Sequence, residues 1–254
     1  MDRINENNIK FNSIIGEGSE AIIYDVEVNQ AYKRFMFHTM RETLKNKQNK
    51  IELINKTPIE GFVKPNDIVF DVQGFRGYTM EKLLSNTTVL DVILDEKKSL
   101  KEKIELLKKI EILIKNAHKN DVLLIDLNFK NFVVENNDVK GVDIDNFMIG
   151  RYEADCLPSA TYNYYLNVVS KDINENMDKF AFAIHSLVLL SNEPITNWHL
   201  YKGKYEKIDE LLARLDVSNH FKEYYNELLK GNNKLFLSEV IDEISSSDSF
   251  IKKK

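Results

Sequence analysis

Between Ile125 and Phe147 the chain reads IDLNFKNFVVENNDVKGVDIDNF, which gathers carboxylates and carboxamides between short apolar runs. Asp126 and Asn131 stand five positions apart, and Asp143 follows on the far side of a polar turn. An aspartate at the start of a loop can accept a proton from an attacking hydroxyl, while an asparagine oxygen and a second carboxylate are hard ligands suited to magnesium. The competing reading is a solvated hairpin whose charges merely face water. Apolar residues on both sides, LLID before and FVV after, pin the loop to a core, as a preorganised site requires. A calcium loop is excluded, because Asp143-x-Asp145 opens as that motif does but Met148 stands where its sharp turn needs glycine.

A second constellation lies near the start, in IIGEGSEAIIYDV, where Gly16, Gly18 and Ala21 form a G-x-G-x-x-A pattern. Glycines let backbone amides approach a phosphate, since no side chain intervenes, although two glycines serve a plain hairpin turn equally well. A dinucleotide fold needs a helix directly after such glycines, whereas AIIYDVEV reads as a strand, so the loop would form a lid between two strands. Lys33 follows in AYKRF, seventeen residues after Gly16. A lysine so flanked commonly snorkels to solvent, but here it falls where a cation could meet phosphates held under the glycines. A fixed cation needs a fixed anion. Glu42 and Glu52 are the candidates on the helical stretch that follows, and Glu52 is preferred because IELINK leads directly into GFVKP and back to the sheet.

The elements that must position these residues differ between the two halves. From Phe11 to about Leu83 the pattern is mostly strand-like: IKFNSII, AIIYDVEV, QAYKRFMF, and a hairpin in DIVFDVQGFRGYTME around Gly74, interrupted by one helix over roughly Thr39 to Asn55. Beyond Leu83 helices dominate. Ile104, Leu107, Ile110, Leu113 or Ile114, and Ala117 recur at intervals of three or four and make one apolar stripe along a long helix. The stretch from Asp178 to Leu190 is apolar almost all round and predicts a buried central helix. IDELLARL, SNHFKEYYNELLK and LFLSEVIDEI give three more, with caps at Ser218 and Gly231. NFVVE and VKGVDI, flanking Asn136, Asn137 and Asp138, predict a hairpin set on the helical body.

Composition removes several function classes. The 254 residues carry a net charge of −5 and are 43% hydrophobic, which fits a globular protein and gives no basic footprint for a nucleic-acid backbone. With four prolines and nine glycines spread along the chain, no flexible linker separates two domains. The single cysteine, Cys156, has no partner for an internal disulfide, and the five histidines, His118 and His185 among them, have no metal-ligand spacing. MDRINENNIK lacks a secretory signal's apolar core, and FAFAIHSLVLL is too short to span a bilayer, so the sequence predicts a cytoplasmic protein without membrane partners.

Taken in order from about Ile14 to Leu190, these pieces resemble the eukaryotic-like protein kinase superfamily. The resemblance implies an α+β, bilobal, protein-kinase-like fold forming one domain over residues 1–254. A small β-rich N-lobe with one helix and the hinge would cover about 1–83, and a larger α-helical C-lobe about 84–254. GEGSEA is then the glycine-rich lid, with Gly16, Gly18, Ala21 and Ile23 among the nucleotide-binding residues; Lys33 is the nucleotide lysine and Glu52 its helix partner. TMEKL is similar to the gatekeeper and hinge, with Met80 beside the adenine and main-chain groups of Glu81 and Leu83 bonding it. LLIDLNFKN stands for H-R-D-x-x-x-x-N, giving Asp126 as base and Asn131 as metal ligand, and Asp143-Ile144-Asp145 stands for D-F-G, with Asp143 on magnesium. Asp178 matches the aspartate that anchors the catalytic loop.

Departures qualify what carries over. Leu124 and Ile125 replace the His and Arg before the base, so the arginine that reads activation-loop phosphorylation is missing. Asn128 stands where many Ser/Thr kinases have lysine, and Lys130, four after the base, is either the charge that neutralises the transferred phosphate or a solvated loop lysine. Asp145 replaces the D-F-G glycine, which either restricts the loop or adds an acid near the metals. PSATYNYYLN occupies the place of the substrate segment without its A-P-E ending. The implied activity is an ATP- and Mg2+-dependent phosphotransferase, with Asp126 and Lys130 as catalytic residues and Asn131 and Asp143 as metal ligands. Its acceptor would be a Ser/Thr-type protein hydroxyl, Ser159 or Thr161 of the chain itself included. The alternatives are a small-molecule kinase of aminoglycoside or sugar type, and a nucleotide-binding pseudokinase scaffold.

Overall fold

The computed structural model describes residues 1–18, 20–27, 29–36, 41–154, 165–191, 206–232 and 236–241, without the side chains of 41–43, 206, 207 and 214. Alternating apolar residues in the first third build a six-stranded sheet. Its strands are β1 (Arg3–Asn5), β2 (Ser13–Glu17), β3 (Ala21–Glu27), β4 (Gln30–Phe35), β5 (Pro65–Asp71) and β6 (Gly74–Glu81). Their order is β1-β5-β6-β4-β3-β2, antiparallel except for the parallel β1–β5 pair. β1 has no strand signal in RIN and is too short to be read from pattern; it exists because β5 offers an open edge. The stretch IKFNSII is a strand only from Ser13.

Helix α1 (Arg41–Lys56) crosses this sheet. Leu44, Lys47, Ile51 and Ile54 recur at three and four residues and form its buried stripe. Leu44 and Ile51 pack with Ala21, Phe35, Ile68, Phe75 and Tyr78, while Val26, Tyr32 and Val69 form a smaller cluster of their own. Strand β4 lies so close to β6 that a Cβ at Gly77 would stand 1.9 Å from the carbonyl oxygen of Lys33, so no other residue fits there without displacing the strand.

The rest of the chain is mainly helical: α2 (Val89–Leu94), α3 (Leu100–His118), α4 (Glu175–Leu190), α5 (Glu206–Arg214), α6 (Asn219–Leu229) and α7 (Ser238–Ile241). Thr88 with Asp91 and Ser99 with Glu102 form capping boxes at α2 and α3, and Ser218 caps α6 by accepting the N–H of Phe221 at 3.0 Å. Gly231 ends α6 at φ 81°, where glycine alone is unstrained. Helix α4 is buried almost all round, as its sequence predicts, and Leu107, Ile110, Ile114 and Ala117 of α3 line the same core. Helix α2 carries no reading in the sequence, since six residues give too little periodicity.

Two small ladders decorate this body, β7 (Val122–Leu123) with β10 (Met148–Ile149), and β8 (Phe132–Glu135) with β9 (Asp138–Gly141). Asn136 and Asn137 turn the second with positive φ at both central positions, the twist a two-residue hairpin requires. The connection from α1 back to the sheet is pinned to β9: Val63 N–H donates to the Gly141 carbonyl at 2.8 Å, Gly141 N–H donates to that of Gly61 at 2.9 Å, and Phe62 stands edge-on to Phe147. The chain is therefore α+β, a sheet-rich N-terminal part joined to a helical part. No helix among the described residues is long and apolar enough to cross a membrane.

Candidate functional site

Strand alternation decides where Lys33 goes. Its neighbours Tyr32 and Arg34 reach Glu6, which accepts the Tyr32 hydroxyl and the Arg34 Nε, each at 2.7 Å. Lys33 therefore projects from the other face, the one α1 covers, and is 7% exposed. There its ammonium donates to Asp143 Oδ1 and, at 2.5 Å, to Asp145 Oδ1. Asp145 is 1% exposed, accepts the Tyr78 hydroxyl at 2.9 Å through Oδ1, and meets Lys47 Nζ at 3.1 Å through Oδ2. Lys47 in turn donates to Glu20 Oε2 at 2.8 Å and lies 4.5 Å from the centre of the Phe35 ring.

Burial opposes the charge on Lys33, but Asp145 and Asp143 outweigh it and hold the ammonium above the usual lysine range. Burial likewise pushes the Asp145 carboxyl up, and the facing cations Lys33 and Lys47 more than reverse this, leaving it below the usual carboxylate range. Tyr78 is held neutral, first by burial and then by the two aspartates. Asp143 adopts a left-handed φ of 63°, and Asn146 Nδ2 donates to its Oδ2 at 3.2 Å.

The loop carrying Asp126 is held from below. Asp178, fully buried at the start of α4, accepts the N–H groups of Leu124 at 2.8 Å and Ile125 at 2.9 Å and contacts His118 Nε2 at 2.9 Å. Ile125 sits at φ 61°, a conformation strained for a β-branched residue, and Asp126 N–H closes a three-residue turn onto the Leu124 carbonyl at 2.7 Å. Asp126 is half-buried; burial, then the charges of Asp143 and Glu20, push its carboxyl above the ordinary value of 3.8. Asn131 donates through Nδ2 to the Asp126 carbonyl at 3.4 Å, and its own carbonyl accepts Val142 N–H at 2.8 Å, which fastens this loop one residue short of Asp143.

The residues picked out from sequence divide accordingly. Lys33, Asp126, Asn131 and Asp143 come together. The expected Lys33–Glu52 pair is not formed: Glu52 Oε1 accepts Gln48 Nε2 at 2.8 Å, one turn away on α1, because Lys47 and not a glutamate occupies the helix face over the sheet. The Glu42 side chain lies outside the described residues, as do Cys156, Ser159 and Thr161. Lys130 is exposed, and among the described residues no ion pair joins it to Asp126 or Asp143. Gly16 pairs with Ile23 across β2 and β3, and Gly18 N–H closes a turn onto the Ala21 carbonyl at 2.9 Å. Met80 packs at the edge of the sheet cluster, Glu81 ends β6 opposite Gln30, and Leu83 follows on the connection to the helical part.

A cavity of about 380 Å³ lies elsewhere, between α1 and the segment after β10, lined by Asn46, Lys50, Arg151, Tyr152, Glu153 and Ala154. Glu52 lines a neighbouring one of about 290 Å³. Neither is lined by Lys33, Asp143 or Asp145.

No group of three or more His, Cys, Asp or Glu side chains among the described residues is arranged to hold a metal. The carboxylate of Asp143 and the amide oxygen of Asn131 are two hard oxygen donors of the kind that would hold magnesium together with substrate phosphates. Lys47, Tyr78 and Glu20 escaped the sequence reading. The available signal was Lys47 itself, a lysine in register with Leu44 and Ile51 where the helix should present an apolar residue. Among known proteins, no family model and no curated sequence matches the chain.

Proposed function

We propose that this chain is an ATP- and magnesium-dependent phosphotransferase with a bilobal, kinase-like fold. One observation carries the reading: Lys33 of the sheet and Asp143, 110 residues later, are in direct contact, and the loop of Asp126 and Asn131 is fastened beside them. The contact joins a buried lysine to the aspartate that the resemblance marks as a metal ligand, across so long a separation that chance is a poor explanation.

Magnesium-ATP, when bound, supplies the transferable phosphoryl group and the divalent charge that neutralises it. Lys33 offers a fixed cation to phosphate oxygens, and Asn131 and Asp143 offer oxygen ligands. Asp126, whose proton affinity is raised, accepts the proton of an incoming hydroxyl, and the Asp178 anchor keeps it in place. Gly18 has an ordinary φ, and among the described residues a Cβ there would meet within 4 Å only the Ala21 carbonyl oxygen, so no described contact requires glycine at that position. An approaching phosphate does. Lys130, exposed on the same loop, is free to reach the transferred group. The acceptor is a protein Ser/Thr hydroxyl ahead of a small alcohol, and the setting is cytoplasmic.

A second reading, a nucleotide-binding scaffold without transfer, is favoured by the engagement of Lys33 with two carboxylates at once. Incubation with γ-labelled ATP and magnesium, alone and with a generic basic protein, separates the two. Label entering protein supports transfer; no label, together with a thermal shift that needs ATP, supports the scaffold. At a hundred times its dissociation constant the nucleotide adds about 2.7 kcal/mol of apparent stability.

A further inference from the structure

Two buried lysines and a buried aspartate make an arrangement that the phosphotransferase reading does not itself require. Asp145 and Lys47 are each 1% exposed at the side chain, whereas Asp143, the other partner of Lys33, is 30% exposed. Burying charges in this way rarely stabilises a fold more than apolar side chains of equal size would. Lys47 also interrupts the apolar stripe of α1 between Leu44 and Ile51, where an apolar side chain would pack beside Phe35 without any desolvation cost.

Resting on the reading above, we infer that Asp145 is the permanent anchor of Lys33 and that Lys47 is the positioning residue that fixes Asp145. The polarity expected from sequence is thereby inverted. Helix α1 supplies a cation in place of a glutamate, and the segment after Asp143 supplies the anion. The exposures divide the labour: Asp143, partly open, is the carboxylate free to exchange Lys33 for a metal, while Asp145, closed in by Tyr78, Lys47 and Lys33, stays where it is. Because Lys47 also grips Glu20 just before β3, the same ammonium ties the glycine lid to α1 and to the Asp145 segment. Three elements that must be in register for transfer are thus held by one buried cation.

The test uses the full chain with Lys47→Met, Lys47→Arg, Asp145→Asn and the Lys47→Met/Asp145→Asn double variant. Two readouts are taken: labelling of Lys33 by a small amine-acylating reagent, followed by peptide mass spectrometry, and magnesium-dependent ATP turnover. The relay predicts Lys33 labelling raised several-fold in Asp145→Asn and in Lys47→Met, with the double variant no higher than the larger single. It also predicts kcat down roughly tenfold or more with KM for ATP nearly unchanged in both single variants, and partial recovery in Lys47→Arg. Equal Lys33 labelling in the parent and Asp145→Asn overturns the relay whatever the turnover, and so does a double variant whose effects simply multiply. Labelling as expected in a parent chain that neither binds nor turns over ATP leaves the relay standing and overturns the phosphotransferase reading instead. Should Lys47→Met fail to fold, Asp145→Asn alone still decides through its labelling.

Discussion

Asp178 accepts the backbone N–H of Ile125 at 2.9 Å, and Ile125 is the residue held at φ 61° immediately before Asp126. A strained conformation persists only where its surroundings over-determine it, and strain of this kind concentrates where geometry is put to use. The carboxylate that imposes the turn lies 53 residues further along the chain, at the head of the buried helix α4.

Asp178→Asn removes the charge and replaces one of two accepting oxygens by an NH2 donor, which then faces one of the two amides. The expected cost is about 3 kcal/mol of stability, with loss of most ATP turnover. Chemical denaturation and a steady-state assay check both. Unchanged turnover in a folded variant would show that the turn before Asp126 does not govern the chemistry.

Asp143→Ala leaves Lys33 paired with Asp145, so helical circular dichroism is expected to match the parent. Phosphate transfer should fall by about a hundredfold or more, the usual scale for removing a group that faces developing charge. A kcat within a few-fold of the parent would separate Asp143 from catalysis.

Glu52→Ala removes only a hydrogen bond to Gln48 from the described contacts. Turnover and ATP affinity are expected to change less than about threefold, well under the tenfold that 1.4 kcal/mol of lost interaction produces. A large loss would mean that the helix glutamate reaches Lys33 in the working enzyme.

His185 reports on the core behind the same loop, standing edge-on to Phe129. Burial lowers its pKa from 6.5 to about 4, although a bond with the Leu127 backbone opposes the shift. The unfolded chain therefore binds this proton at higher pH than the folded one. Stability attributable to His185 is intact above pH 6.5 and declines as pH falls toward 4, with a slope of at most about 1.4 kcal/mol per pH unit. Denaturant midpoints followed across that window should decline more steeply in the parent than in His185→Gln; parallel profiles would refute the assignment.

Periodicity made the sheet strands, the stripe of α3 and the buried helix α4 legible, because each buries one face or all faces over enough residues to repeat. The hairpin at Asn136 and Asn137 was legible for a different reason, its two left-handed positions. The approach of Lys33 to Asp143, with the Asp126–Asn131 loop fastened beside them, was legible because residue types and order carry information that distance along the chain does not dilute. The Glu52 pairing was misread, and Lys47 missed, because ion-pair partners depend on which helix face meets the sheet. A lysine inside an apolar stripe is the one local sign of that, easily discounted as a solvated charge. β1 could not be read at all, since its only reason to be a strand is an edge of β5 that sequence does not display.

The most direct measurement is a crystal structure of the chain with magnesium and a non-hydrolysable ATP analogue. The account predicts the triphosphate beneath the Gly16–Gly18 turn, its oxygens within hydrogen-bond reach of Lys33, magnesium on Asn131 and Asp143, and Asp145 still on Lys47. A nucleotide seated away from Lys33 and Asp143, or none bound at saturating concentration, would contradict it.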